Sequence, residues 1–212
     1  MSAPKEPQAA ITRRYQRRSG LYDAYTRPME WMGGARRRRR LLAHARGRVL
    51  EVGVGTGASL PHFPSNVDIV ALDVAEGMLK RARRRARRLG VDAALVRGDA
   101  QRLPFANDSF DTTVGACVFC SVADPVAGLA ELGRVTRPDG RVLLLEHVRP
   151  RNRALGRLFD WLSPVTRRVL GPEINRRTER HTSMAGLDLI EVRRDGIWRE
   201  INARPVSTEP SR

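Results

Sequence analysis

The chain has 212 residues, enough for one α/β domain with a full core and too few for two ordinary domains. Its 39 Lys and Arg against 23 Asp and Glu leave a formal net charge of +16, a field that draws anionic polymers and anionic membrane surfaces alike. No run reaches the roughly 18 to 20 apolar residues needed to cross a bilayer, no signal-peptide core precedes the first elements, and two cysteines inside an apolar run make no disulfide framework, so a cytoplasmic protein is expected.

In chain order, residues 1–10 read as a mobile tail with Pro4, Lys5, Glu6 and Pro7. From Ile11 to Met32, aromatic residues including Tyr15, Tyr22, Tyr25 and Trp31 interleave with arginines, which predicts a helix, a break near Pro28, and a second helix from Gly34 towards Ala45. Strands follow at Arg48–Val54, Asp68–Leu72, Ala93–Arg97, Thr112–Val118 and Arg141–His147, separated by helical segments, and this alternation implies a parallel sheet. A helix from Pro125 to Val135 precedes the fifth strand, and Leu187–Arg193 with Ile197–Arg204 makes a closing hairpin about Asp195-Gly196. Residues 1–45 are therefore assigned to a tail and helical cap, residues 46–212 to the core, and residues 150–174 to a lid inserted in that core.

Two arginine-rich runs stand out, Arg36 to Arg40 and Lys80 to Arg88; the bland reading of each is a solvated helix face. In the 150–174 segment Leu155, Leu158, Phe159, Leu162, Val165 and Val169 recur at helical spacing among arginines. This suits an interfacial helix on a lipid surface, and equally an ordinary stripe packed on the sheet.

The first strand ends in Glu51-x-Gly53-x-Gly55-x-Gly57, and the second in Asp73. Dinucleotide sites space their glycines as G-x-G-x-x-G so that a helix N-terminus meets pyrophosphate. Here the acid in front of the turn would repel pyrophosphate and suits a ligand with a cationic centre or an amino group. Asp73 is placed for ribose hydroxyls.

These segments resemble the class I S-adenosylmethionine-dependent methyltransferases. Asp73-Val-Ala-Glu-Gly-Met-Leu-Lys-Arg-Ala82, Gly98-Asp-Ala-Gln-Arg-Leu-Pro-Phe105, Asn107-Asp-Ser-Phe-Asp111 and the turn from Arg134 to Arg141 extend the likeness from Arg48 to Val148. The resemblance implies a single-domain Rossmann-like α/β fold, a mostly parallel seven-stranded sheet with helices on both faces. It also implies S-adenosyl-L-methionine as cofactor, with S-adenosyl-L-homocysteine as product and no metal. Cofactor contacts would fall to Glu51, Gly53, Gly55, Gly57, Asp73, Val74, Met78, Asp99, Ala100 and Ala116.

The fourth strand's exit, Gly115-Ala-Cys-Val-Phe-Cys-Ser121, lacks the Asn/Asp-Pro-Pro-Tyr/Phe signature used on planar amide or adenine nitrogens. Cys117 and Cys120 read as buried, inert thiols because no second ligand pair accompanies them. His147, at the end of the fifth strand, is the candidate base, with Tyr22 or Tyr25 covering the pocket, while Glu146 either orients it or binds an arginine. The N-terminal tyrosine segment, the strand-four exit and Glu146-His-Val148 are similar to bacterial phosphatidylethanolamine N-methyltransferases. That implies methylation of a phospholipid amine towards phosphatidylcholine by a peripheral protein, a monomer being favoured, on the anionic inner face of the membrane. The alternatives are O- or C-methylation of a quinone precursor or other small apolar acceptor, and an RNA-binding protein that kept this fold; the missing RNA module argues against nucleic acid.

Overall fold

The computed structural model describes residues 7–18, 20, 22, 26–27, 30–147, 157 and 178–206. The apolar runs form strands β1 (Arg48–Val52), β2 (Asp68–Asp73), β3 (Ala94–Arg97), β4 (Phe110–Ala116), β5 (Thr136–His147), β6 (Leu187–Asp195) and β7 (Trp198–Pro205). They make one seven-stranded sheet in the order β3-β2-β1-β4-β5-β7-β6. The first five run parallel, and β7 runs antiparallel to both its neighbours. Because β1 pairs with both β2 and β4, the chain reverses its winding there, and a crevice opens beyond the carboxyl ends of these strands.

Alternate strand residues feed different cores, which is why the central strands read as continuous apolar runs rather than as polar/apolar alternation. Leu50, Val52, Leu72 and Leu144 pack on one face against Leu129 and Leu132 of the helix Pro125–Val135. On the other face Ile69 and Ala71 meet Leu79, Ala82 and Ala86 of the helix Glu76–Leu89, while Val49, Val114 and Leu143 meet Leu41 and Leu42 of the helix Ala35–Leu42. Among the described residues the α-helices, in chain order, are α1 (Gln8–Arg18), α2 (Ala35–Leu42), α3 (Glu76–Leu89), α4 (Pro125–Val135) and α5 (Thr178–Met184). Asp124 starts α4 by accepting from the amides of Val126 and Ala127, with Pro125 preset for the first turn.

Several boundaries differ from expectation for local reasons. β1 stops at Val52 because Gly53 turns to φ +70 and its amide, with that of Val54, bonds the Leu72 carbonyl. β4 starts at Phe110 and ends at Ala116, since Cys117 adopts φ +57. β5 begins at Thr136 rather than Arg141: Thr136 pairs with Phe110 and Arg141 with Thr112, so residues 137–140 are absorbed as a bulge. At the N-terminus, α1 starts at Gln8, inside the predicted tail, and a π-helical turn, Glu30–Gly34, leads into α2. The predicted lid at 150–174 lies outside the described residues apart from Arg157, as does Tyr25.

Candidate active site

Two adjoining compartments fill the crevice, with empty volumes of about 560 Å³ and about 740 Å³, and both are bordered by Gly53, Gly55, Tyr15, Tyr22, Cys117 and Ser121. The first continues along Asp73, Val74, Met78, Gly98 and Ala100. The second continues along Glu51, Ala116, Cys120, His147, Trp198, Glu30 and Arg38. Ten of the thirteen residues singled out from the sequence as candidates therefore line one shared space. Gly57 and Asp99 do not line it, and Tyr25 is not described.

Gly57 serves the turn: at φ +83 an added Cβ would lie 2.8 Å from Leu60 and 3.3 Å from the Ala82 backbone, so its bareness lets α3 approach β1. Asp99 is committed to its own loop, accepting from the amide and the side-chain nitrogen of Gln101. Gln101 in turn donates to Gln8.

Asp73 sits at the end of β2, where its carboxylate accepts from the amides of Gly55 and Ala75 at 2.9 Å each. These bonds hold the carboxylate while leaving lone pairs on both oxygens. Burial raises its pKa against the pull of the backbone donors. Gly53 carries the closest approach, because a Cβ there would overlap Val118 at 2.2 Å.

Glu51 is 2 % exposed, and its Oε2 has no hydrogen-bond partner among the described residues. Burial pushes its carboxyl up to about 7, opposed by a hydrogen bond with Ser59 and the nearby Arg38 charge. A buried, half-satisfied carboxyl beside a cavity is a receptor for an ammonium or hydroxyl group. Together with the orphaned Glu51 oxygen and the free lone pairs of Asp73, the bare Gly53 makes a cradle that fits a nucleoside joined to an amino acid.

His147, at the carboxyl end of β5, is 7 % exposed and meets Trp198 edge-on at a ring distance of 6.2 Å. Desolvation lowers its pKa, so the imidazole is neutral at neutral pH. The Glu146 Oε1 accepts from the amides of Val118 and Phe119, tying the exit of β4 to β5. Cys117 borders both compartments, its thiol pushed up to about 12 by burial and the Glu146 charge, so it stays protonated. Among the described residues no group of three or more His, Cys, Asp or Glu could hold a metal ion.

The sequence did not single out Tyr15, Ser121, Ile11, Arg38, Glu30 or Trp198 as site residues. Tyr15 shares a 2.6 Å hydrogen bond with Ser121, fixing α1 over the exit of β4. Its ring lies 6.1 Å from that of Tyr22. Gln8 accepts from the amide of Ala123, and Gln16 from that of Gly77, so α1 is pinned to both rims of the crevice. The aromatic content of the segment was visible from composition, but these long-range polar ties carry no local signal.

Residues 50–144 match the family model described as "Methyltransferase domain". Over this stretch, a little under half of the chain, the sequence is similar to methyltransferase domains. The chain is 42% identical over 125 residues to a demethylmenaquinone methyltransferase of Renibacterium salmoninarum, covering 56% of this chain and 51% of that protein. It is 39% identical over 115 residues to a phosphatidylethanolamine N-methyltransferase of Cereibacter sphaeroides, covering 52% of this chain and 57% of that protein. The chain thus spans about half the length of the curated relatives it matches. Among solved structures, a methyltransferase from Thermotoga maritima superposes with a TM-score of 0.70 over 92% of this chain and 99% of that one, at 20% identity, which speaks for the fold alone. The likeness to phosphatidylethanolamine N-methyltransferases read from the sequence is therefore matched or exceeded by likeness to the quinone-type enzymes. S-adenosylmethionine is the cofactor of the methyltransferase domain.

Proposed function

We propose that the protein transfers a methyl group from S-adenosylmethionine to a quinone precursor, with His147 accepting the proton that the acceptor loses. The observation that carries the transfer reading is the shared space itself. A ribose-and-amine cradle at Asp73 and Glu51 opens directly into a second compartment walled by Trp198, Tyr15 and Tyr22, with a neutral histidine at its end. The quinone acceptor is supported by relatives named demethylmenaquinone methyltransferase from Renibacterium salmoninarum and Mycobacterium.

In this reading Asp73 accepts from the ribose hydroxyls, Glu51 Oε2 from the amino group, and Val74, Met78 and Ala100 flank the base. When bound, the cofactor supplies an electrophilic methyl on a sulfonium. The protein's own part is positioning and proton handling. An aromatic hydroxyl becomes a better nucleophile, at oxygen or at the ring carbon beside it, when its proton passes to His147, which burial keeps in the basic form. The tyrosine pair and Trp198 hold a flat ring and exclude water.

A second reading, N-methylation of phosphatidylethanolamine, is favoured by the Cereibacter sphaeroides relative and by the Tyr15 and Tyr22 rings, whose faces suit a methylated ammonium. Labelled S-adenosylmethionine offered with a reduced quinone precursor and, separately, with phosphatidylethanolamine vesicles decides between them. The proposal expects label in the quinol product. Label confined to the lipid would replace it with the second reading.

A further inference from the structure

Four arginines of α3, Arg81, the adjacent Arg84 and Arg85, and Arg88, sit on one helix face, three or four residues from one another apart from that pair, and line a single cleft with Thr56. Among the described residues none of the four makes an ion pair, and their only polar tie is from Arg85 to the Thr56 carbonyl at 3.4 Å. The one acid on α3 is Glu76, in its first turn. Like charges stacked on one helix face repel each other, and among the described residues no carboxylate pairs with these four. The contrast lies on the same molecule: Arg37, Arg38 and Arg40 of α2 pair with Asp195, Glu30 and Glu200.

The position of the cleft matters as much as its charge. Thr56 belongs to the turn after β1 and lines both the arginine cleft and the acceptor compartment, so that turn borders the two. His62 locates the surrounding surface. It follows the turn that holds Thr56, and Glu30, just ahead of α2, lines the acceptor compartment together with Thr56. Next to Glu30 stands Trp31, 89 % exposed, and Leu89 at the far end of α3 is also exposed. An unpaired guanidinium stripe, an exposed indole and a nearby pocket mouth together match the headgroup layer of a bilayer, where Arg meets lipid phosphate and Trp sits at the boundary with the acyl chains.

We propose that the face formed by Arg81, Arg84, Arg85 and Arg88, together with Trp31, docks the protein on an anionic lipid surface and holds the acceptor compartment against it. A single-stranded RNA would also find the charge, but the lone Trp31 indole offers a single stacking site rather than the run of aromatic faces on which successive bases stack. The inference does not depend on which acceptor is methylated, because its readout is binding.

The full chain is mixed with vesicles of phosphatidylglycerol and phosphatidylcholine, or of phosphatidylcholine alone, and bound protein is separated by flotation over a series of salt concentrations. The double variant Arg84→Gln/Arg88→Gln is compared with Arg193→Gln/Arg204→Gln, which removes the same charge from the distant β6–β7 hairpin. The proposal expects binding to anionic vesicles only, weakened about thirtyfold by the α3 pair, as for two basic residues at an anionic surface. It also expects Trp31→Ser to weaken binding and the hairpin pair to leave it within about twofold. S-adenosylhomocysteine affinity, measured in parallel, reports that the variants are folded. Equal losses from both pairs would reduce the effect to net charge and overturn the proposal. So would absence of binding to the anionic vesicles.

Discussion

The two arginine runs look alike in sequence and differ completely in the folded protein. On α2, Arg37 and Arg38 are buried: Arg37 pairs with Asp195 and lies 5.6 Å over the Trp198 ring, and Arg38 donates to Ser59 at 3.0 Å and to Glu30 at 2.6 Å. Arg40 grips Glu200 through two nitrogens. On α3, Arg81, Arg84, Arg85 and Arg88 line a cleft, and among the described residues no carboxylate pairs with them. The difference comes from what the tertiary fold brings alongside: β6 and β7 deliver Asp195 and Glu200 to α2, while β3, the edge strand beside α3, delivers none. A charge run is therefore a structural or an interaction feature depending on acids far away in sequence, up to 160 positions for Arg40 and Glu200.

The largest expected effect that would break this contrast is at Arg38. Arg38→Ala removes a buried guanidinium from Glu30 and Ser59 and should destabilise the protein by about 3 kcal/mol in denaturant unfolding. It should also push the Glu51 carboxyl further up, because the Arg38 charge now opposes its protonation. A loss below about 0.5 kcal/mol would mean that the α2 run is no more structural than a surface run.

Glu51 sharpens the comparison through pH. Its folded pKa of about 7 lies above the usual 4.5, so the folded protein binds the extra proton, and this site makes stability fall as pH rises from about 4.5 to 7. Glu51→Gln should remove that slope. The variant is expected to gain up to about 3 kcal/mol relative to wild type between pH 5 and pH 8, a difference read as a widening gap in unfolding midpoints. A constant gap would show that Glu51 is already ionised in the folded protein. His147 contributes oppositely: its lowered pKa makes stability fall as pH drops below about 6.5.

The smallest effect belongs to α3. Arg84→Gln/Arg88→Gln should change unfolding free energy by no more than about 0.5 kcal/mol, and in the stabilising direction, because like charges are removed from one helix face. A marked loss of stability would place these arginines with the α2 group.

Much of the fold was legible because its signals are local. The apolar runs of β1, β2 and β5, the glycine turn and Asp73 each state their structure within a few residues, and Glu51, Gly53 and Asp73 line adjoining cavities at the carboxyl ends of the strands. Asp99 and Gly57 show the limit of transferring whole motifs: one is turned to Gln101 and the other packs against α3. What could not be read locally was the closure. Tyr15 reaches Ser121 across 106 positions and Arg38 reaches into the pocket from a charge run, and neither contact leaves a trace in neighbouring residues. The β5 bulge was equally hidden, since a run such as Arg137-Pro-Asp-Gly140 ordinarily marks a turn.

The most direct measurement is methyl transfer to a reduced quinone precursor by wild type and His147→Asn, with S-adenosylhomocysteine affinity measured on the same preparations. The expected result is affinity within about twofold and a transfer rate lower by roughly a hundredfold, the usual contribution of a positioned base. Unchanged turnover in the variant across pH 6 to 8 would contradict the account, because the proton would then leave the acceptor without His147.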